Sequence, residues 1–303
     1  MIKNILVTGA NGQLGSEIKQ LSESLSNYHF TFTDVDELDI TNKQDIESFI
    51  IANKIHIIIN CAAYTAVDKA ESEKQLADEI NHFAVKYLAE VAKAKHVQLI
   101  HISTDYVFDG KGFKPYTDED DKNPLNVYGK TKLEGEKALL EINPEGAVIV
   151  RTSWVYSSFG NNFVKTMLRL GEDKMELNVI CDQVGAPTYA RDLASCILQN
   201  LLDPTNKEAM VYHFTNEGVC SWYDFALEIM SLGEKECKVK PIPTSAYPTP
   251  AQRPFYSLLD KSKIKEDYNI DIPYWKSSLK KCIEKIQIDS SESLNFKDAK
   301  QEK

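Results

Sequence analysis

Short apolar runs, several of them β-branched, alternate with longer amphipathic stretches through the first half of the chain. The apolar runs predict strands at residues 5–7, 29–33, 55–60, 97–102 and 147–150. The stretches between them have helical spacing, at residues 9–24, 42–53, 72–95 and 126–141. Near-continuous apolar strands separated by helices are typical of a parallel sheet covered on both faces, so the pattern predicts a doubly wound α/β fold.

Beyond Arg151 the alternation becomes irregular, which indicates that the second half of the chain is organised differently. A chain of 303 residues is long enough for one large domain or for two unequal lobes. We expect a first lobe at residues 1–150, to which a later segment at about 180–203 returns. We expect a smaller second lobe mainly at residues 151–288 and a fraying polar tail at 289–303.

Composition narrows the class of protein. Hydrophobic residues make up 43% of the chain, which is ordinary globular usage and excludes a disordered or fibrous protein. The 35 basic and 45 acidic residues give a net charge of −10, which disfavours general binding to nucleic acid or to anionic membranes. We expect a cytoplasmic protein, since no apolar run is long enough for a secretory or membrane-spanning segment. The six cysteines and six histidines lack metal-ligand spacing, so no metal site is expected.

A glycine-rich turn lies between the first predicted strand and the first predicted helix. Gly9, Gly12 and Gly15 are spaced as G-x-x-G-x-x-G, and Asp34 ends the second predicted strand. In this context the glycines allow a tight turn and close approach to a pyrophosphate at the helix N-terminus. The alternative is a purely structural turn. The context favours a dinucleotide site, with the Asp34 carboxylate on the ribose hydroxyls.

A second motif, Tyr128-x-x-x-Lys132, places both side chains on one face of the predicted helix, one turn apart. A lysine beside a phenol favours the phenolate, so we expect Lys132 to lower the pKa of Tyr128 toward working pH. A solvated helix pair is the alternative, because this spacing recurs by chance in a chain with 14 tyrosines. The order of the motifs favours catalysis, since the pair follows a strand that ends in Ser103-Thr104.

Together these motifs resemble the extended short-chain dehydrogenase/reductase superfamily. Longer strings are similar to its dTDP-4-dehydrorhamnose reductase family, at residues 103–110, 124–132, 151–156, 161–167, 182–188 and 247–254. The resemblance covers the chain from residue 1 to about residue 285. It implies a Rossmann-type lobe for NADPH or NADH and a smaller C-terminal lobe for a nucleotide sugar. A homodimer is one assembly that the sequence leaves open.

The resemblance also implies roles for particular residues. Those expected to contact the cofactor are Gly9, Asn11, Gly12, Gln13, Leu14, Gly15, Asp34, Asp39, Ile40, Ala62, Ala63, Tyr64, Ser103, Tyr128 and Lys132. Thr104, Asp105 and Trp154 are expected to face the sugar, and a purely structural core position is the alternative for Trp154. For Arg253, a salt bridge within a loop and binding to the diphosphate are equally good interpretations.

The reaction implied is reduction of the C4 ketone of dTDP-4-dehydro-L-rhamnose to dTDP-L-rhamnose by hydride from NAD(P)H. Tyr128 would donate the proton, Thr104 a second hydrogen bond to the developing oxyanion, and Lys132 would bind the nicotinamide ribose. Asp34 repels a 2′-phosphate, so NADH is expected to be the better cofactor although the family is permissive.

Two other functions remain open from the sequence. Another epimerase or reductase of the superfamily would use the same tyrosine and lysine, whereas a 4,6-dehydratase would carry an Asp-Glu pair after Thr104. Here Asp105 is followed by Tyr106, which makes dehydration a poor fit. A non-catalytic regulatory subunit, resembling that of methionine adenosyltransferase, could tolerate loss of the catalytic residues. All three of those residues are present.

Overall fold

The computed structural model describes residues 2–203 and 206–301. Its strands are β1 (Lys3–Thr8), β2 (Tyr28–Thr33), β3 (Ile57–Asn60), β4 (Gln98–Thr104), β5 (Val148–Thr152), β6 (Val155–Tyr156), β7 (Glu176–Ile180), β8 (Val184–Gly185), β9 (Thr188–Tyr189), β10 (Met210–His213), β11 (Cys220–Ser221) and β12 (Lys238–Ile242). Its helices are α1 (Gln13–Ser22), α2 (Lys43–Ala52), α3 (Val67–Ala70), α4 (Lys74–Asp78), α5 (Ala84–Lys95), α6 (Val127–Ile142), α7 (Phe163–Asp173), α8 (Ala190–Cys196), α9 (Trp222–Leu232), α10 (Ser262–Tyr268) and α11 (Trp275–Gln301).

Six strands form the central sheet, in the order β10-β5-β4-β3-β1-β2. Every neighbouring pair in this sheet is parallel. The doubly wound α/β fold is therefore confirmed, and the predicted apolar runs correspond to β1–β5. The sixth strand, β10, comes from the irregular second half of the chain, where the sequence pattern did not predict it.

The strands are apolar on both faces because both faces are covered by helices. Ile5 and Val7 of β1 belong to a core with residues of α1 and α8. Leu6, between them, points to the opposite core with residues of α2 and α5. Successive side chains of a strand alternate in direction, so a continuous apolar run is what two buried faces require.

A third core lies among the elements of the second half of the chain. Phe225 of α9 and Trp275 of α11 are buried there with residues of α7, β7 and β12. The three two-stranded sheets β11-β8, β12-β7 and β6-β9 also come from this half.

Helix α11 includes most of the segment predicted to be a polar tail. The segment at 289–301 continues this helix, and residues 302–303 lie outside the described part of the chain. In the described residues no helix has the length and apolar character needed to cross a membrane.

A buried ion pair connects α6 to the sheet. The Arg151 guanidinium on β5 donates to both carboxylate oxygens of Glu136 on α6, with distances of 2.7 Å from Nη2 and 3.0 Å from Nε. Arg151 Nη1 also lies 3.3 Å from Nε2 of His213 on β10. Both charged side chains are almost fully buried. Water cannot solvate either charge at this position, so each charge is stabilised by the other.

We expect Glu136→Ala to lower the free energy of unfolding by about 3–5 kcal/mol, because it leaves the Arg151 charge buried without its partner. Glu134→Ala on the same helix removes an exposed pair with Lys137 and should cost less than about 1 kcal/mol. Urea denaturation followed by circular dichroism measures both. Equal losses of unfolding free energy in the two variants would contradict the conclusion that the buried Arg151 charge depends on Glu136.

Candidate active site

A cavity of about 940 Å³ lies at the carboxyl edge of the central sheet. Thr8, Thr33, Thr104 and Thr152 line it from the last positions of β1, β2, β4 and β5. Ligands of open parallel sheets bind at this edge, because the strand ends and the helix N-termini converge there. The cavity is therefore the candidate active site.

The glycine turn forms one end of this cavity. Gly9 has a φ of +65°, and a Cβ added to it would lie 2.6 Å from the backbone nitrogen of Ala62. A Cβ on Gly15 would lie 2.5 Å from the carbonyl oxygen of Gly9. Helix α1 begins after Gly12, which has no side chain to cap it. Its first N–H groups are thus available to an anion in the cavity.

Asp34 lies beside the glycine turn, at the end of β2. Its Oδ2 accepts a hydrogen bond from the Asn11 N–H at 3.2 Å, and its Oδ1 accepts one from the Val35 N–H at 2.9 Å. Asp39 also lines the cavity, and its carboxylate accepts from Thr41. The Asp34 carboxylate is therefore oriented by the backbone at the position predicted for the ribose hydroxyls.

Tyr128 lies in the first turn of α6 and lines the cavity together with Thr104. The helix is capped by the Asn126 side chain, which accepts a hydrogen bond from the Gly129 N–H at 2.8 Å. Burial raises the pKa of Tyr128 to about 12, and the Asp105 charge adds to this while Thr104 opposes it. The expected lowering of the pKa by Lys132 is wrong, because burial of the phenol dominates.

Lys132 is buried, and its ammonium group is directed to β4. Nζ donates to the carbonyl oxygen of Ile102 at 2.7 Å and lies 3.3 Å from His101 Nε2. Burial lowers the pKa of Lys132 to about 8. The lysine therefore titrates close to neutral pH, well below an exposed lysine.

Two buried oxygens at the end of β4 have no hydrogen-bond partner among the described residues. They are Ser103 Oγ and Asp105 Oδ2, and both residues line the cavity. Burial raises the pKa of Asp105 to about 7, whereas hydrogen bonds from Thr104 and Ser257 act in the opposite direction. Orphaned buried polar atoms in native proteins are rare, so these two oxygens are available to a ligand.

Trp154 lines the cavity from the segment after β5. Its backbone has a φ of +49°, a left-handed conformation that is uncommon for a residue with a side chain. Its ring stacks on Trp222 at a centroid distance of 3.7 Å. The indole is therefore held against the third core while it borders the cavity.

The cavity brings together all of the predicted site residues except Asn11 and Tyr64. The Tyr64 hydroxyl donates to Glu73 Oε2 at 2.5 Å, and neither of these two residues lines the cavity. Arg253 forms a salt bridge at 2.7 Å with Asp68, which lies on α3 and not within the loop that carries Arg253.

Sequence reasoning missed several residues that line the cavity. These are Cys61, Thr65, Val67, Leu76, Glu79, Ile80, Tyr106, Asn161 and Asn162, among others. Glu79 and Ile80 belong to a π-helical turn, Glu79–Phe83, inside the helical stretch predicted at 72–95. Such turns often occur at functional sites, but a helical hydrophobic pattern does not reveal them. Asn161 and Asn162 lie in one of the motif strings, which was the available signal.

Comparison with known proteins decides the family. A family model described as RmlD substrate binding domain matches residues 3–288. A dTDP-4-dehydrorhamnose reductase of Aggregatibacter actinomycetemcomitans is 44% identical over 285 residues, which are 91% of this chain and 97% of that protein. The chain belongs to the dTDP-4-dehydrorhamnose reductase family. The resemblance found in the sequence is confirmed.

Solved members of the dTDP-4-dehydrorhamnose reductase family share this fold. The protein from Clostridium acetobutylicum ATCC 824 is 46% identical, with a TM-score of 0.89 over 94% of this chain and 99% of that one. The protein from Bacillus anthracis str. Ames, solved in complex with NADP, is 38% identical, with a TM-score of 0.88 over 94% and 100%. A dTDP-glucose 4,6-dehydratase at 18% identity and a TM-score of 0.76 shows the same fold.

The raised pKa of Asp105 predicts a pH-dependent loss of stability. Its carboxyl group holds its proton up to about pH 7 in the folded chain but only to about pH 4 when unfolded. Between these values the folded state binds more protons, so its stability falls as pH rises. Relative to Asp105→Asn, wild type should lose up to about 1.4 kcal/mol per pH unit across this window.

Urea denaturation at a series of pH values measures this difference. Asp173→Asn, which changes an exposed carboxylate at the end of α7, is the matched control and should follow wild type. Parallel stability curves for wild type and Asp105→Asn would contradict the prediction.

Proposed function

We propose that this chain reduces the C4 ketone of dTDP-4-dehydro-L-rhamnose to form dTDP-L-rhamnose, with NADPH or NADH as the reductant. The observation that carries the proposal is that Thr104, Tyr128 and Lys132 line the same cavity as the glycine turn and Asp34. Membership of the dTDP-4-dehydrorhamnose reductase family supports it, and one solved relative contains NADP.

The cavity fits a dinucleotide in three respects. The uncapped start of α1 offers N–H groups to a pyrophosphate, and the Asp34 carboxylate is available to ribose hydroxyls. The orphaned Ser103 Oγ is a buried polar atom that a ligand would satisfy. When bound, the nicotinamide cofactor supplies a hydride to the ketone carbon.

Tyr128 acts as the proton donor in this proposal. Its pKa of about 12 keeps the phenol protonated at neutral pH, which is the state that reduction of a ketone requires. Negative charge grows on the ketone oxygen during the reaction. The Thr104 hydroxyl has one proton, which it donates to Asp105 Oδ1 at 3.1 Å, and in this proposal it turns that proton to the ketone oxygen as a second hydrogen bond. In its ammonium form, Lys132 stabilises the tyrosinate that remains, from one helical turn away.

Asp105 and Trp154 bind the sugar in this proposal. The Asp105 side chain is buried, and its Oδ2 has no partner among the described residues, so a sugar hydroxyl can donate to it. The Trp154 indole is held by Trp222 and offers an apolar surface at the cavity. Arg253 is already paired with Asp68, so we assign it no contact with the diphosphate.

We also propose a division of labour along the chain. Residues 1–150 form the cofactor lobe together with the later segment at about 180–203, and residues 151–288 mainly form the sugar lobe. The packing of α8 residues in the same core as α1 supports this division. The protein would act in the cytoplasm, since the sequence carries no apolar run long enough for a secretory or membrane-spanning segment. A homodimer is the assembly to test, and sedimentation equilibrium measures it.

Replacement of the proton donor tests the mechanism. We expect Tyr128→Phe to slow reduction by about 10²–10⁴-fold without loss of the fold, because the ring stays and only the acidic proton is removed. The assay supplies dTDP-4-dehydro-L-rhamnose and follows NAD(P)H absorbance. Tyr87→Phe on α5, which does not line the cavity, is the matched control.

Three outcomes would contradict the proposal. Near-normal turnover by Tyr128→Phe would exclude Tyr128 as the donor. Tight cofactor binding without turnover in wild type would favour the regulatory-subunit alternative. Formation of an isomeric sugar without consumption of NAD(P)H would favour an epimerase.

Asp34 tests the choice of cofactor. Its carboxylate accepts hydrogen bonds from a free 2′-hydroxyl and repels a 2′-phosphate, so we expect a higher kcat/KM with NADH than with NADPH. Asp34→Ala should narrow or reverse this preference. The four kcat/KM values decide it, and a strong wild-type preference for NADPH would show that a basic group offsets Asp34.

A further inference from the structure

Four buried polar side chains form a continuous row beside the cavity. Thr8, Asn60 and His101 are register neighbours on β1, β3 and β4, and Lys132 reaches the row from α6. None of the four residues is more than 2% exposed. The proposed reduction uses only Lys132, so the other three side chains need another explanation.

Hydrogen bonds link each member of the row to the next. Thr8 Oγ1 donates to Asn60 Oδ1 at 2.7 Å, and Asn60 Nδ2 lies 3.0 Å from His101 Nδ1. His101 Nε2 then lies 3.3 Å from Lys132 Nζ. If one atom in this row changes from hydrogen-bond donor to acceptor, the atom bonded to it must therefore change from acceptor to donor.

The backbone determines which way the Asn60 amide points. The Ala62 N–H donates to Asn60 Oδ1 at 3.2 Å, and a backbone N–H can act only as a donor. Rotating the amide by a half turn would place its NH₂ group against this N–H. The carbonyl oxygen therefore faces Ala62, and the NH₂ group faces His101.

This orientation determines the tautomer of His101. An amide NH₂ group can only donate, so His101 Nδ1 must accept and carries no proton. A neutral imidazole then has its proton on Nε2. The imidazolium form would place an Nδ1–H against the amide donor, and burial independently lowers the pKa of His101 well below its ordinary value.

The Nε2–H of His101 is thus directed at Lys132 Nζ. An uncharged amine has one lone pair and can accept this hydrogen bond, whereas an ammonium group has three donors and no acceptor. The bond is made in the neutral state of Lys132 and becomes a donor–donor contact in the charged state. The other bond of Nζ, to the carbonyl oxygen of Ile102, is compatible with both states.

Two other titratable groups act on Lys132, and neither of them favours the neutral amine. The Glu136 carboxylate favours the ammonium form, but it is already paired with Arg151. Burial raises the pKa of the Cys61 thiol to about 12, so this group stays uncharged at neutral pH. Besides burial itself, His101 is therefore the neighbour that favours the neutral amine.

We propose that Asn60 and His101 are positioning residues that determine the protonation state of Lys132. Asn60 holds His101 as the Nε2–H tautomer, and this N–H stabilises the uncharged amine against the ammonium form. The kinetic consequence rests on the proposed reductase function. Because Lys132 acts as an ammonium group there, activity falls as pH rises through the Lys132 pKa, and His101 moves that limit to lower pH.

The tautomer can be measured directly on the full chain without cofactor or substrate. In protein labelled with ¹⁵N-histidine, the signal of His101 is identified by its loss in His101→Gln. We expect an unprotonated Nδ1 and a protonated Nε2 across neutral pH. An Nδ1–H tautomer or an imidazolium would overturn the proposal while leaving the reductase assignment intact.

The pH profile of kcat/KM tests the consequence. The glutamine of His101→Gln can turn its carbonyl oxygen to Lys132, which replaces a donor by an acceptor. We expect the alkaline pKa of kcat/KM to rise by about one pH unit, the shift that one hydrogen bond corresponds to. The control is His56→Gln, an exposed histidine just before β3, which should leave the profile unchanged.

Asn60→Asp provides a second variant that does not remove the imidazole. A carboxylate accepts from Nδ1–H, so the ring presents its Nε2 lone pair to Lys132 and the alkaline pKa should again rise. Unchanged alkaline pKa values in both variants, with only stability or KM affected, would overturn the proposal. Absence of reduction in wild type would contradict the proposed function, and the ¹⁵N measurement would still decide the tautomer.

Discussion

The parallel direction of all six central strands is the constraint on which the candidate site depends. Parallel strands end at one edge of the sheet, so residues far apart in sequence meet there. Thr8, Thr104 and Thr152 come from three strands and line a single cavity. Both faces of the sheet are covered by helices and apolar, which leaves the strand ends as the place where polar groups can meet a ligand.

Burial also determines the protonation states at this edge. Loss of solvation disfavours charge, so it raises the pKa of Tyr128 and Asp105 and lowers that of Lys132 and His101. As a result Tyr128 is protonated at neutral pH, and Lys132, one helical turn away, titrates near neutral pH. Burial is enough to keep Tyr128 protonated, so its role as proton donor does not require direct contact between Tyr128 and Lys132.

Helix α6 carries Tyr128 and Lys132, and its position is restricted along its length. A Cβ on Gly129 would lie 2.2 Å from the carbonyl oxygen of Tyr106, and the helix approaches its neighbours this closely only with glycine there. One turn beyond Lys132, Glu136 binds the buried Arg151 of β5. These contacts hold α6 in place and so orient Tyr128 and Lys132. Loops at the cavity rim would hold the two side chains less rigidly.

The sequence by itself determined five of the six central strands, the glycine turn and the order in which Thr104, Tyr128 and Lys132 follow one another, because these depend on local periodicity and spacing. Only the tertiary structure decided which charges meet. It showed that Lys132 is bonded to β4 while burial raises the pKa of Tyr128, and that Arg253 pairs with Asp68. These outcomes depend on desolvation and on contacts between distant segments, and no local pattern in a chain encodes either of them.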